Sequence, residues 1–184
     1  SPAAHLPHSH IGDKRFENWT ITYDAAVTTL AFIALDDVHN AEKIIDFFIQ
    51  EKGNKRLGGF VKSFVDEGEL RVTEWAVRSG SNLWLGIASF HLYQKTGKTE
   101  YLDLARQIAD WAVDLQNKDR DSDNYGGVPL GPKGDPRYPT DQHIRFDEDA
   151  PSFHNIYATE VNIDAYALFS FLARKTNEEK YQTA

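Results

Sequence analysis

The chain has 184 residues, contains neither cysteine nor methionine, and carries a formal net charge of −8 at pH 7. The lack of cysteine excludes disulfides, thiolate chemistry and Cys-based zinc sites, and the negative charge argues against nucleic acids and anionic membranes as partners. No apolar run is long enough to span a bilayer, so we expect no membrane insertion. The composition leaves the cellular compartment open.

Two kinds of helix alternate along the chain. Residues 19–35 predict a helix that is small or apolar on almost every side, and residues 38–51 predict an amphipathic one. A helix without a polar face is covered all round, whereas an amphipathic helix has one face in water. The same alternation of an inner and an outer helix continues at residues 80–96, 99–116, 158–176 and from 178 onward.

An internal repeat supports this pairing of helices. Residues 82–101 align without a gap on residues 162–181, and Gly97 falls on Asn177, the two residue types that best tolerate the left-handed conformation after a helix. Repeats of this length indicate stacked units that cannot bury their apolar faces alone. The predicted fold class is therefore all-α, with helical hairpins of an α/α toroid, three of an expected six.

The predicted domain organisation follows from where the repeat starts and stops. Residues 1–18 are expected to form a flexible N-terminal segment and residues 19–184 the toroid domain. Because Ala184 aligns with Leu104, inside an outer helix, we expect the domain to be incomplete at its C-terminus. An open array of three hairpins, complete in itself, is the alternative.

The connections between hairpins carry the unusual sequence. Residues 61–72 predict a small β-hairpin, because alternating apolar residues flank an Asp-Glu-Gly turn. Residues 117–157 form a second long connection without a periodic segment, and long connections of this kind are usually functional. Both connect an outer helix to the next inner one, so we expect them above the N-termini of the inner helices.

Carboxylates and aromatic residues cluster at this same end. Asp24 and Asp164 occupy equivalent positions in the first and third inner helices, and Glu160 lies one turn before Asp164 on the same face. Paired carboxylates supply the acid and base of glycoside hydrolysis, and aromatic rings stack on sugars. The alternative is that each acid only caps a helix. The predicted catalytic residues are Glu160, Asp164 and Asp24, and the predicted substrate-binding residues are Tyr23, Trp75, Asn82, Trp84, Asn162 and His154.

The three carboxyl groups are predicted to have different roles. Glu160 is the expected general acid, because its apolar neighbours Ile156, Tyr157 and Val161 would favour the protonated form. Asp24 and Asp164, placed in first turns where the helix dipole favours the ionised form, would activate water or hold a sugar hydroxyl.

Short motifs resemble the six-hairpin glycosidase superfamily: Thr22-Tyr23-Asp24-Ala25-Ala26, the Gly-Gly-Phe and Gly-Gly-Val-Pro connections, and residues 159–166. The resemblance implies an (α/α)6 toroid of which this chain holds the N-terminal half. It also implies hydrolysis of a glycosidic bond, commonly with inversion, by two carboxylates. We therefore predict a glycoside hydrolase-like enzyme that cleaves or processes a polysaccharide or oligosaccharide. The alternatives are a sugar epimerase or isomerase on the same fold, or a non-catalytic toroid that serves as a binding module.

No cofactor is predicted, with one alternative. Asp119, Asp121 and Asp123 alternate as in a calcium loop, but Asn124 stands where an EF-hand needs glycine and Leu130 where it needs glutamate. A solvated acidic turn is the main interpretation, and calcium is the alternative. The predicted partners are a carbohydrate substrate and either the missing C-terminal half or a second copy of the chain, which would cover the apolar flank.

Overall fold

The computed structural model describes residues 6–50, 55–67, 69–135 and 153–184. The helices are α1 (Thr22–Ala34), α2 (Val38–Gln50), α3 (Ser79–Thr96), α4 (Thr99–Leu115), α5 (Thr159–Thr176) and α6 (Glu179–Gln182). The strands are β1 (Trp19–Ile21), β2 (Lys55–Arg56), β3 (Gly59–Asp66) and β4 (Leu70–Val77), and a 3-10 turn covers Phe153–Asn155.

The predicted helices are confirmed in number and position within this part of the chain. The ends of α2, α3, α4 and α5 lie within one residue of the bounds expected from the sequence. Gly97 and Asn177, which follow α3 and α5, both have left-handed backbone conformations, with φ angles of 75° and 57°. The first helix of each copy of the repeat therefore ends in the same way.

The outer helices repeat their contacts as well as their sequence. The Tyr101 hydroxyl donates to Asp46 Oδ1 at 3.1 Å, and the equivalent Tyr181 hydroxyl donates to Asp110 Oδ1 at 2.6 Å. One ion pair also recurs with its charges exchanged, between Lys98 and Glu42 in one unit and between Glu178 and Arg106 in the next. Successive hairpins therefore stack with the same geometry.

Within the described ranges, the three inner helices differ in how far their apolar side chains are covered. Helix α3 contacts α1 on one side and α5 on the other, and Leu83 is fully buried. Ile163 is the repeat equivalent of Leu83 on α5, yet its side chain is 62% exposed, and Tyr166 nearby is 70% exposed. On α1, Val27 is also exposed. The apolar side chains of α3 are thus covered, whereas α1 and α5 keep exposed ones, as expected for the apolar flank that the sequence analysis assigns to a partner.

The all-α fold class predicted from the sequence is wrong. The fold is mixed, because helices pack with a four-stranded antiparallel sheet in which β3 pairs with each of the other three strands. The predicted hairpin over residues 61–72 is confirmed but longer, since β3 and β4 extend to Gly59 and Val77. The other two strands, β1 and β2, are not expected from the sequence.

The two unexpected strands have separate causes. Residues Trp19–Ile21, predicted as the start of a helix, are aromatic or β-branched and pair with β3, with Ile21 opposite Ser63. Strand β2 exists because Leu57 and Gly58 both have positive φ angles, 50° and 82°, which suit a two-residue hairpin turn into β3. Neither pairing has a periodic signal in the sequence.

The described part of the N-terminal segment packs against β1. The backbone N–H of Ser9 donates to the Trp19 carbonyl oxygen, and Ser9 Oγ accepts from the Ile21 N–H, both at 2.7 Å. The Leu6 side chain is buried in the core. Residues 1–5 of the predicted flexible segment lie outside the described residues. Within the described ranges, no helix combines the length and apolar character needed to cross a membrane.

Candidate functional site

A pocket of about 220 Å³ opens where the N-terminal ends of the three inner helices meet. Both long connections arrive at this end, as predicted: the Ser79 N–H donates to the Leu130 carbonyl, and the Leu130 N–H donates to the Ile156 carbonyl. Three of the predicted site residues, Tyr23, Trp84 and Glu160, line the pocket together with Arg78, Gly80, Ser81, Leu130, Phe153 and Val161.

Two aromatic rings form one wall of the pocket. The rings of Tyr23 and Trp84 lie edge to face, with centroids 5.9 Å apart and an interplanar angle of 76°. Tyr23 is partly exposed and Trp84 is half-buried. Such a pair offers a rigid apolar surface with polar tips, which suits a ligand that is apolar on one face and hydroxylated at its rim.

The two carboxyl groups of α5 differ sharply in their surroundings. Glu160 is exposed in the first turn, whereas Asp164 is only 8% exposed and lies in the second turn. Burial raises the pKa of Asp164, a hydrogen bond with the Trp84 side chain opposes this in part, and the charge of Glu160 raises it further. Among the described residues, Asp164 Oδ2 has no hydrogen-bond partner.

The surroundings of Asp164 favour its protonated form, whereas the sequence led us to expect the ionised form. Asp164 is the carboxyl group that burial holds toward its protonated form, and Glu160 is the one in contact with solvent. The expectation of an ionised Asp164 relied on the helix dipole, whose effect falls off within the first turn. Because α5 begins at Thr159, Asp164 lies beyond that turn.

The remaining predicted site residues take other positions. Asp24 is half-buried in the first turn of α1, next to Tyr23, but it does not belong to the described lining of the pocket. Trp75 lies in β4, partly buried against the core, and its carbonyl accepts a hydrogen bond from Arg56 Nη1 at 3.2 Å. His154 follows Phe153 in the 3-10 turn and is half-buried. None of these three lines the pocket, although Asp24 and His154 each adjoin a residue that does.

Asn82 and Asn162 bind backbone rather than solvent. Asn82 is fully buried, accepts from the Phe60 N–H at 2.8 Å, and donates to the carbonyls of Phe60 and Arg78 at 3.0 and 2.9 Å. Asn162 makes the equivalent bonds to Val128, at 2.8 and 3.1 Å, and to Ala158 at 2.9 Å. Because both amide groups are already bonded, their geometry supports a structural role instead of the predicted contact with substrate.

Arg78 and Phe153 are pocket residues that sequence reasoning missed. The Arg78 guanidinium lies 4.0 Å from the centroid of the Phe153 ring and forms an ion pair with Asp135, which is fully buried. Asp135 also accepts from the Val77 N–H at 3.1 Å and lies 3.6 Å from Arg56. Arg78 lies two residues before a predicted helix, which was an available signal, but nothing in the sequence pairs it with a residue 57 positions away.

The described residues contain no group of three or more histidine or acidic side chains that could hold a metal ion. In the acidic turn, Asn117 Oδ1 accepts from the Asp119 N–H at 2.9 Å and Asp119 Oδ1 accepts from the Asp121 N–H at 3.0 Å. These bonds are typical of a turn that is closed by its own side chains. Calcium at Asp119, Asp121 and Asp123 stays the alternative prediction.

Comparisons with protein-family models, with curated proteins and with solved structures found no match to this chain. Any function assigned to it therefore rests on the pocket at the N-terminal ends of the inner helices.

Proposed function

We propose that this pocket binds a glycan and that the chain is a glycoside hydrolase-like enzyme. The observation that carries the proposal is the pocket itself, in which the rings of Tyr23 and Trp84 meet the carboxyl group of Glu160. The buried carboxyl group of Asp164 lies one turn from Glu160 on the same helix. The resemblance to six-hairpin glycosidases agrees with this proposal but does not carry it.

The proposed chemistry assigns the proton to Asp164. General acid catalysis needs a carboxylic acid that holds its proton, and burial raises the pKa of Asp164 in that direction. In the proposed step the bond between the anomeric carbon and the glycosidic oxygen breaks, and that oxygen takes the proton of Asp164. Water adds to the anomeric carbon and gives up a proton to a second carboxylate.

The second carboxylate is expected on a different helix from Asp164, because Glu160 lies one turn from Asp164 and faces the same way. Glu160 and Asp164 therefore approach a bound sugar from one side, whereas inversion needs acid and base on opposite sides. Asp24 is the candidate base, because it lies on α1, a different helix from that of Asp164, and both helices pack against α3. Glu160 would then bind sugar hydroxyls and add to the rise in the pKa of Asp164.

A non-catalytic sugar-binding module is the second candidate, and one observation favours it. Asp164 is only 8% exposed and does not belong to the described lining of the pocket, which suits a structural role for its carboxyl group. The epimerase alternative stays a prediction. No histidine belongs to the described lining of this pocket, and His91 on α3 lines a different one.

The test compares turnover with binding for matched variants. Wild-type protein is assayed for release of reducing ends from neutral oligosaccharides and for interconversion of free sugars, with affinity measured by calorimetry. We expect Asp164→Asn to lower turnover by about 10²–10⁴-fold, the usual contribution of a general acid, with glycan affinity nearly unchanged. Glu160→Gln should mainly weaken binding, and Asp24→Asn should lower turnover.

Each alternative has a distinct outcome in this experiment. Glycan binding without turnover by the wild-type protein would favour the binding module. Interconversion of free sugars would favour the epimerase. An Asp164→Asn variant that cleaves glycans at the wild-type rate would show that Asp164 only positions Trp84.

A further inference from the structure

A second pocket lies at the opposite ends of two inner helices and shares no lining residue with the first. It has a volume of about 350 Å³ and is formed by the last turns of α3 and α5. Its volume falls within the range of about 300–1,000 Å³ that is typical of small-molecule sites. The residues that line it are Phe90, His91, Gln94, Phe171, Arg174 and Lys175.

The wall of this pocket is apolar and aromatic. The rings of Phe90 and Phe171 are stacked across the two helices, with centroids 5.4 Å apart and an interplanar angle of 11°, and His91 meets Phe171 edge-on at 5.3 Å. Phe90 belongs to the buried core, so the wall is firmly anchored. Burial lowers the pKa of His91, against a hydrogen bond with Gln94, so this ring is uncharged near neutrality.

The rim of the pocket carries two cations. Arg174 and Lys175 are exposed in the last turn of α5, and neither forms an ion pair with a carboxylate in the described part of the chain. Lys95, the repeat equivalent of Lys175, is instead paired with Asp36 at 2.6 Å. Cations at a helix C-terminus complement its dipole, which accounts for their charge. The helix dipole does not account for an aromatic pocket beside these two cations in a chain of net charge −8.

We propose that this pocket binds a small planar aromatic carboxylate. The aromatic ring of the ligand rests against the half-buried rings of Phe171 and His91, where it gains from burial and from ring contacts. Its carboxylate faces Arg174, because the planar guanidinium group bonds a carboxylate through two parallel N–H donors. Lys175 adds positive charge at the rim, with its Nζ atom 5.1 Å from the centroid of the Tyr93 ring. The site is independent of the proposed glycan pocket.

The first test separates the two halves of the ligand. The full chain is titrated by calorimetry with 2-naphthoate, with the neutral 2-naphthalenemethanol and with acetate. If ring and charge both contribute, 2-naphthoate should bind at least about tenfold more tightly than either of the other probes. Absence of binding by 2-naphthoate at millimolar concentration would overturn the proposal. So would equal binding by the neutral analogue, which would indicate only an apolar crevice.

The second test locates the binding and uses a matched control. Arg174→Gln should weaken 2-naphthoate binding about tenfold, since it removes the bidentate donor. Lys95→Gln removes the same charge at an equivalent turn of the neighbouring helix and should change the affinity less than about twofold, because that lysine is already paired. If Arg174→Gln binds like the wild type while Trp84→Leu does not bind, the probe occupies the first pocket and the proposal fails.

Discussion

The surroundings of Asp164 favour its protonated form. Its carboxyl group is buried beside Trp84 and lies one turn from Glu160, and both burial and the charge of Glu160 raise its pKa above the ordinary value of 3.8. A group whose pKa is raised on folding binds its proton more tightly in the folded state. The contribution of Asp164 to stability is therefore present below pH 3.8 and is lost as the pH rises through the folded-state pKa.

The direction of this pKa shift predicts how Asp164→Asn changes stability with pH. The asparagine does not ionise, so the variant should equal the wild type in stability at a pH below 3.8 and exceed it at pH 7 to 8. The measurement is urea unfolding of both proteins at several pH values. A gain in stability together with a loss of turnover would be the trade-off expected of a functional residue. A difference in stability that does not vary with pH would contradict the assigned burial.

At the scale of elements, two asparagines join the connections to the inner helices. Asn82 bonds the backbone of Phe60 at the start of β3, and Asn162 bonds Val128 in the same way. Close packing explains why a glycine directly precedes both Phe60 and Val128. A Cβ atom on Gly59 would lie 2.6 Å from Val77 Cγ1, and one on Gly127 would lie 2.9 Å from Tyr157 Cδ1. Each motif of two glycines and an apolar residue is thus bound by an asparagine of the next inner helix.

The two asparagines differ in burial, which predicts a difference in stability. Asn82→Ala removes the side-chain hydrogen bonds to the buried backbone N–H and carbonyl of Phe60 and should lower the free energy of unfolding by about 2–4 kcal/mol. Asn162 is only half-buried, so Asn162→Ala should cost about 1–2 kcal/mol, since water can replace part of the lost bonding. Chemical denaturation of both variants checks the order. Equal or negligible losses would show that the connections are held by other contacts.

At the scale of the whole molecule, two inner helices present apolar surface. Ile163 and Tyr166 on α5 are exposed, although Leu83, the equivalent of Ile163, is completely covered by its neighbours. Helix α3 is covered in part by α5, which packs against it. A face of the same kind on α5 favours association with another helix, and we expect a second copy of the chain to supply it.

Sedimentation velocity tests this expectation. We expect the wild-type sedimentation coefficient to rise with concentration, and the double variant Ile163→Gln, Tyr166→Gln to remain a monomer at concentrations about tenfold higher, since each substitution removes apolar contact area. Ile11→Gln is the control, because Ile11 is 98% exposed in the N-terminal segment and lies on neither inner helix. A wild-type monomer at every concentration would show that the α5 face does not mediate self-association.

The sequence by itself determined the features that depend on local periodicity. Helices repeat their contacts every three to four residues, so the apolar pattern located α2 to α5 within one residue. The gapless alignment of residues 82–101 with residues 162–181 identified the residues that occupy equivalent positions in the two hairpins. It also placed the connections at one end of the helices, where Tyr23, Trp84 and Glu160 meet in a pocket.

Only the tertiary structure decided the features that depend on distant partners. Strand β1 exists because β3 lies beside it, and local pattern cannot distinguish three such residues from the start of a helix. Asn82 and Asn162 look like site residues until the backbone groups that bind them are known. The protonation of Asp164 depends on what covers it, because desolvation is a property of the assembled neighbours and not of the residue or its helix.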